Sequence, residues 1–354
     1  MAFRKVSAAL TAGVMLTLAA TAPLAAAETL TFSTSATPTQ PQSRVWEAWA
    51  KSIEEQTGGA LKVEFYYQQA LAKLADNFEA VSSGLADIGV VIPGYDRAKM
   101  PLTYLISSAT DTGDQYVVSQ AWQETRDQFP AIEAEDRKNN LKHLTHESLG
   151  APIMIGDRFY PTPAAMEGQT MRLTTHWVFA AQRAGINANA ARISSPETYT
   201  ALEKGTISGA VTYMGQIKPF RLNEVADHLT LLDLGQHTSL YYMNLDRWNA
   251  LTEEQRTIIE TSLPKLRADL ARTGLKETEE TLEIIRSDAD YPMQVLKLDS
   301  ADRAVWEGYL SASYEENLIA KATEVNPAAP EIAAFYMRRI KEIAAEVAAN
   351  GHPW

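Results

Sequence analysis

An arginine set between two apolar residues is the most pointed chemical feature of this chain. In MEGQTMRLTTHW, residues 166–177, Arg172 stands between Met171 and Leu173, and the β-branched content around it predicts a buried parallel strand with a helix opening at Thr175. A guanidinium in such a place needs a partner, because a buried charge without one is heavily penalised. Either an internal carboxylate supplies it, or a ligand carboxylate does, clamped by two parallel hydrogen bonds at the carboxyl end of the sheet, where open α/β folds bind their ligands. Composition does not choose between the two. Trp177 follows Arg172 by five residues, and Tyr95 and Tyr213 follow predicted strands. From these positions aromatic rings can wall a cleft and pack on an apolar, aromatic or cationic ligand body, although Trp177 can equally pack its helix against the sheet.

Signatures of catalysis are scarce. The sequence holds no GxSxG, GxGxxG, phosphate-loop or HExxH pattern. His143 and His146 form an HxxH in a strand-like stretch, where the odd offset sends the two rings to opposite faces and argues against a shared metal. The cysteine count of 0 excludes disulfides, thiol catalysis, cysteine metal sites and a lipid-anchored cysteine. Neither a metal nor a cofactor is expected.

The elements that must position Arg172 follow from periodicity. TLTFST alternates as a first strand. Val45, Trp46, Trp49 and Ile53 then fall at helical spacing, and ALKVEFYY alternates again. DNFEAVSSGLADIGVV, residues 76–91, is echoed by ETYTALEKGTISGAVT, residues 197–212, with Phe78 matching Tyr199, Ala80 matching Ala201 and Gly84 matching Gly205. Each copy reads as a helix ending at a glycine in the left-handed cap conformation, followed by a short strand. Residues 112–140 read as helical, and from Leu141 strands and helices alternate again, to about residue 236. Such alternation argues for parallel sheet covered on both faces. Strands at 228–234 and 238–245 then lead back toward the first lobe. Thr252 opens a helix as a capping box with Gln255, and the pattern runs to about Arg286, interrupted by Pro264; at 1.5 Å per residue this is roughly 50 Å, longer than one small domain. The tail ends in a helix with an apolar stripe through Ile332, Phe335, Tyr336, Ile340, Ile343 and Val347.

Arg4 and Lys5, an apolar run and the small residues Ala25 and Ala27 give the first 27 residues the layout of a secretion signal cleaved after Ala27. Its removal takes away two positive charges from a chain whose formal net charge is already −12. Such a balance excludes nucleic acid and anionic lipid as partners that basic patches would attract.

The signal, the order of elements and several local motifs resemble the solute-binding proteins of tripartite ATP-independent periplasmic (TRAP) transporters, of the dicarboxylate-binding DctP type. The matching pieces are TLTFSTSATPTQPQ, AVSSGLADIGVV, GQTMRL, ETYTALEKGTISGAV and MNLDRWNALTEEQR. The resemblance implies that Arg172, in the G-x-x-x-R element, grips a substrate carboxylate. It also implies that Ser33 and Thr34, ending the first strand, donate hydrogen bonds from the opposite lobe, and that Thr212 or Tyr213 stands near the place of a family asparagine. The chain departs from the pattern in carrying Ser208 and Gly209 for the usual Asp-Gly, LISSATDTGD for a Leu-Pro-Phe element, and no second arginine around Ala151. Asp87 reads as a structural residue at a strand edge.

The expected fold is therefore α/β: a two-lobed periplasmic binding protein, type II-like, with a long lobe-spanning helix and C-terminal helices. Residues 28–149 and 237–278 form the first lobe, and residues 150–236 and 279–354 the second. The expected function is non-catalytic binding of a small organic carboxylate between the lobes by hinge closure, in the periplasm, as a monomer. Delivery is to the small and large TRAP membrane subunits. The alternatives are a secreted hydrolase using paired carboxylates, and a binding protein serving an ABC importer or a sensor.

Overall fold

The computed structural model describes Met1, residues 27–109 and residues 112–354. The expected signal peptide lies, apart from its two ends, outside the described residues.

The alternating apolar residues of the mature start fold as β1 (Glu28–Ser33), and the tryptophan stripe as α1 (Pro41–Gln56), which returns the chain to β2 (Leu61–Tyr66) parallel to β1. Next come α2 (Asn77–Ser82), β3 (Ile88–Val91), α3 (Pro101–Ile106), β4 (Ser108–Ala109), α4 (Gln115–Gln128), α5 (Pro130–Lys138) and β5 (Leu141–Ser148). The chain then passes into the second lobe through β6 (Pro152–Gly156), β7 (Thr170–Arg172), α6 (Thr175–Arg183), β8 (Asn189–Ala191), α7 (Thr198–Glu203), β9 (Gly209–Tyr213) and β10 (His228–Leu231). It returns as β11 (Gln236–Asn244), followed by α8 (Leu245–Ala250) and α9 (Glu253–Ser287). The remaining elements are β12 (Gln294–Lys297), α10 (Ser300–Ser313), α11 (Ala320–Val325) and α12 (Ala329–Asn350).

Each lobe is built on a 6-stranded sheet, one ordered β2-β1-β3-β11-β4 with β5 also on β11, the other β12-β10-β6-β9-β7-β8. In both, a parallel trio joined by helices meets an antiparallel strand: β2-β1-β3 meets β11, and β8-β7-β9 meets β6. The internal echo is this equivalence. Gly84 and Gly205 both take left-handed φ, +79° and +66°, so the chain turns out of α2 and α7 alike. The N–H of Ala86 reaches back to Ala80 O, and that of Ile207 to Ala201 O. Phe32 and Ser33 pair with Ile88 and Gly89 just as Met171 and Arg172 pair with Gly209 and Ala210. The two sheets thus present Ser33 and Arg172 at equivalent strand ends.

Strand alternation divides the core of each lobe between the two faces of its sheet. Leu240 and Tyr242 of β11 point into one cluster with Trp122 and Tyr336, while Tyr241 and Met243 point into another with Trp46 and Ile53. In the second lobe Met154 packs with Trp177 and Trp306, whereas Ile153 and Ile155 pack with Leu202 and Leu229.

α9 is 35 residues long, about 50 Å. Thr252 and Gln255 cap it reciprocally, and it runs through Pro264 without ending. Ile259 and Leu270 pack in the first lobe and Ile285 in the second, so one helix spans both. The C-terminal region corrects the expected boundary. α10 packs in the second lobe through Trp306, but a π-helical turn at Tyr314–Ile319 carries the chain into the first. There Leu318, Ile332, Tyr336, Ile340 and Ile343 bury their stripe against Val117, Val118 and Trp122 of α4. Residues from Tyr314 onward therefore belong to the first lobe, because its apolar face is the one that the stripe covers.

The HxxH also differs from expectation. The β5–β11 register shifts between Tyr241 and Tyr242, whose partners are Thr145 and His143, so Leu144 is an inserted residue and the two histidines come to the same face. Their rings lie 5.5 Å apart and both pack on Trp122. Burial, reinforced by nearby arginine charge, holds both well below the usual histidine range. Among the described residues no group of His, Asp and Glu converges as a metal site.

Candidate functional site

The lobes face each other across a cleft of about 1070 Å³, and Arg172 is in its wall. As the last residue of β7, Arg172 leaves the strand at the carboxyl end of the sheet and is only 5% exposed. Its guanidinium is fixed by three acceptors. Nε donates to Ile193 O at 2.9 Å, one terminal nitrogen to Val211 O, and the other to Ser195 Oγ at 2.8 Å. All three acceptors are neutral, and among the described residues no carboxylate lies within ion-pair distance. The internal-carboxylate alternative thus fails. A guanidinium has five N–H donors, so two remain, one on each terminal nitrogen, the number a bidentate anion takes. The charge is felt nearby. Burial and then Arg172 lower the His237 imidazole to about 4, and Arg172 opposes the upward push of burial on the Tyr213 hydroxyl.

Of the residues expected from the sequence, the cleft brings together Arg172, Tyr213, Tyr95 and Thr34. Tyr213 is buried beside His237, ring centroids 6.4 Å apart, whereas Tyr95 is 40% exposed at the rim. Thr34 belongs to the first lobe, and its hydroxyl accepts from Ala36 N at 3.1 Å. Three other residues are elsewhere. Ser33 points into the first lobe, where its hydroxyl donates to Asn77 Oδ1 at 2.7 Å. Thr212 is turned away by strand alternation and donates to Gln216 Oε1 at 2.8 Å. Trp177 is 2% exposed and packs edge-on against Trp306 at 5.2 Å, so it joins α6 to α10 rather than meeting a ligand. Asp87 is structural as expected, receiving Thr31 N and hydroxyl and pairing with Arg247.

Other lining residues were not foreseen. β11 sends His237, Ser239 and Tyr241 to the cleft at alternate positions, and α1 adds Trp46 and Gln42. Two acids complete this wall. Glu147 of β5 accepts from the Tyr241 hydroxyl at 2.5 Å, and burial, with Glu277 adding to it, pushes its carboxyl up to about 7. Glu277 of α9, 8% exposed, accepts from Gln42 Nε2, and burial raises it too. Gly215 permits this approach, since a Cβ there would stand 3.0 Å from Glu277 Oε2. The alternation of HTSLY was the available signal; nothing local marks Glu147 or Glu277 among the 44 acids.

Comparison with known proteins agrees with this fold. The family model described as "DctP: Bacterial extracellular solute-binding protein, family 7" matches residues 32–321. The C4-dicarboxylate-binding periplasmic protein DctP of Rhodobacter capsulatus is 24% identical over 323 residues, covering 88% of this chain and 93% of that one. A TRAP periplasmic solute-binding protein from Bordetella bronchiseptica, solved with bound (R)- and (S)-mandelate, superposes with a TM-score of 0.77 at 18% identity, covering 89% of this chain and 99% of that one. One from Sulfitobacter sp. NAS-14.1 with bound β-D-galacturonate gives 0.74 at 20% identity, covering 88% and 100%. At such identities these likenesses show a shared fold.

Proposed function

From the premise that the chain belongs to the DctP family of bacterial extracellular solute-binding proteins, we propose that it receives a small organic carboxylate between its lobes and hands it to the small and large membrane subunits of a TRAP transporter. Members of this family are binding components of transport systems, not enzymes, which sets the hydrolase alternative aside. The observation that carries the proposal is Arg172, a buried guanidinium in the cleft with neutral internal partners and two unspent N–H donors.

In this reading the ligand docks on Arg172 while the cleft is open, and the first lobe, with Thr34 and the β11 stripe, then closes over it. Closure expels water and strengthens the charge-assisted bonds, each worth about 1.5–3 kcal/mol. Micromolar affinity corresponds to about 8 kcal/mol, so the clamp alone falls short and contacts from both lobes are required. The acidic wall disfavours a second ligand carboxylate, which favours monocarboxylates over dicarboxylates. That the relatives above were solved with mandelate and galacturonate, both carboxylates, supports the ligand class. The chain works in the periplasm as a monomer after cleavage behind Ala27, and among its described residues no helix is long and apolar enough to cross a membrane.

Isothermal titration of the mature chain against monocarboxylates, hydroxy acids, aromatic acids and dicarboxylates tests this. One-to-one saturation without product, and uptake into vesicles holding both membrane subunits only when the loaded chain is added, are expected. Turnover of a bound compound, or uptake indifferent to the chain, would refute it.

A further inference from the structure

The wall of the cleft that faces away from Arg172 has the opposite chemistry. Glu147 and Glu277 both line it, and the groups acting on them are Tyr241 and each other's neighbourhood: Tyr241 and Glu277 for Glu147, Gln42 and Glu280 for Glu277. Among the described residues neither carboxyl meets a cation. The rings of Trp46 and Tyr241 lie 4.4 Å apart beside them, Phe32 stands edge-on to Trp46 at 4.9 Å, and Phe65 continues the wall. The indole N–H of Trp46, 4% exposed, is turned to the Tyr241 hydroxyl. The two ends are joined by the β11 stripe. His237 is at the Arg172 end and Tyr241 at the Glu147 end, four residues apart, or about 14 Å at 3.4 Å per residue.

We propose that the ligand is a zwitterion, its carboxylate on Arg172 and its cationic nitrogen against Glu147 and Glu277 within the rings of Trp46, Phe65 and Tyr241. The proposal rests on the reading of Arg172 given above. Aromatic faces beside a carboxylate attract a cation by both the ring quadrupole and direct charge. One guanidinium and one ionised carboxyl also give each charged end of a zwitterion an opposite partner, whereas a plain carboxylate leaves the acid at the far end buried without compensation.

The test is calorimetric titration of the mature chain, at a pH above 7, with γ-aminobutyrate and ε-aminocaproate beside butyrate, caproate and γ-hydroxybutyrate. The better-fitting amino acid should bind at least about tenfold more tightly than its unsubstituted acid, and Glu147→Gln and Glu277→Gln should bring that ratio close to one. Melting of each unliganded variant checks that it folds. An unsubstituted or hydroxy acid binding as tightly as its amino counterpart overturns the zwitterion alone. So does a ratio that survives both substitutions. Failure of every carboxylate, substituted or not, overturns the Arg172 reading with it.

Discussion

Replacing Arg172 by lysine keeps the charge and removes the fork, which separates the two things the guanidinium supplies. In the native site three N–H donors are committed to Ile193 O, Val211 O and Ser195 Oγ, and these hold the plane of the guanidinium, leaving two donors for the proposed ligand. A lysine ammonium has three donors on one atom, so it cannot serve the three protein acceptors and a bidentate carboxylate together. The loss should approach two charge-assisted bonds at about 1.5–3 kcal/mol each, about 3–6 kcal/mol, or roughly a hundredfold to ten-thousandfold in affinity. Arg172→Ala should lose as much. It also orphans two carbonyls, so its unliganded form should unfold at lower denaturant by about 1–3 kcal/mol. Calorimetric titration with the best-binding acid, with that acid's methyl ester as a second ligand, isolates the clamp. The ester should lose nearly all of the same energy in the native protein and almost none further in Arg172→Lys. Affinity of the lysine variant within about threefold of native, or equal binding of acid and ester by the native chain, would refute the reasoning.

Three further outcomes follow from the packing. Trp177→Ala should cost about 3–5 kcal/mol of stability in urea unfolding, because it empties the α6–α10 contact, while ligand affinity stays within about threefold. Gly84→Ala and Gly205→Ala should each cost about 1 kcal/mol through their left-handed φ and, lying in different lobes, should add in the double variant; a measurably unequal or non-additive pair would contradict the equivalence of the two turns. The Glu147 carboxyl, carried from 4.5 up to about 7, binds its proton more tightly folded than unfolded. Its contribution is therefore intact below about 4.5 and is lost as pH rises through about 7, so the unliganded native chain should fall behind Glu147→Gln by up to about 3 kcal/mol in melts across that window. Glu135, also pushed up to about 7 by burial, changes with the same sign, which is why the difference between native and variant is the quantity to read.

Local pattern made the helix–strand steps legible, since a stripe ending at Gly84 or Gly205 carries its own stop signal, and it made Arg172 conspicuous because a charge interrupts an apolar strand. The finer placement was lost where one residue decides a face. Ser33 and Thr34, like Thr212 and Tyr213, are strand neighbours that point to opposite sides, and only the second of each pair reaches the cleft. Five residues from Arg172 to Trp177 cross from strand to helix, and no period spans that change. The bulge at Leu144 reversed the expected sides of His143 and His146. The acidic wall was out of reach altogether. Glu147 and Glu277 lie on β5 and α9, and only the assembled first lobe brings them to Tyr241 and Gln42. The same holds for α12, whose stripe announces a docking face without naming the surface that receives it.

The position of β11 bears on how the chain matures. It pairs with β3, β4 and β5 inside the first sheet, yet it is synthesised only after the whole sequence from β6 to β10. The N-terminal lobe cannot close its sheet on the ribosome until some hundred further residues have emerged, and contacts of such sequence separation form slowly. In the proposed periplasmic setting, where the chain crosses an export channel while still extended, this delay gains time, and the lobes should complete their folding together once translocation has ended.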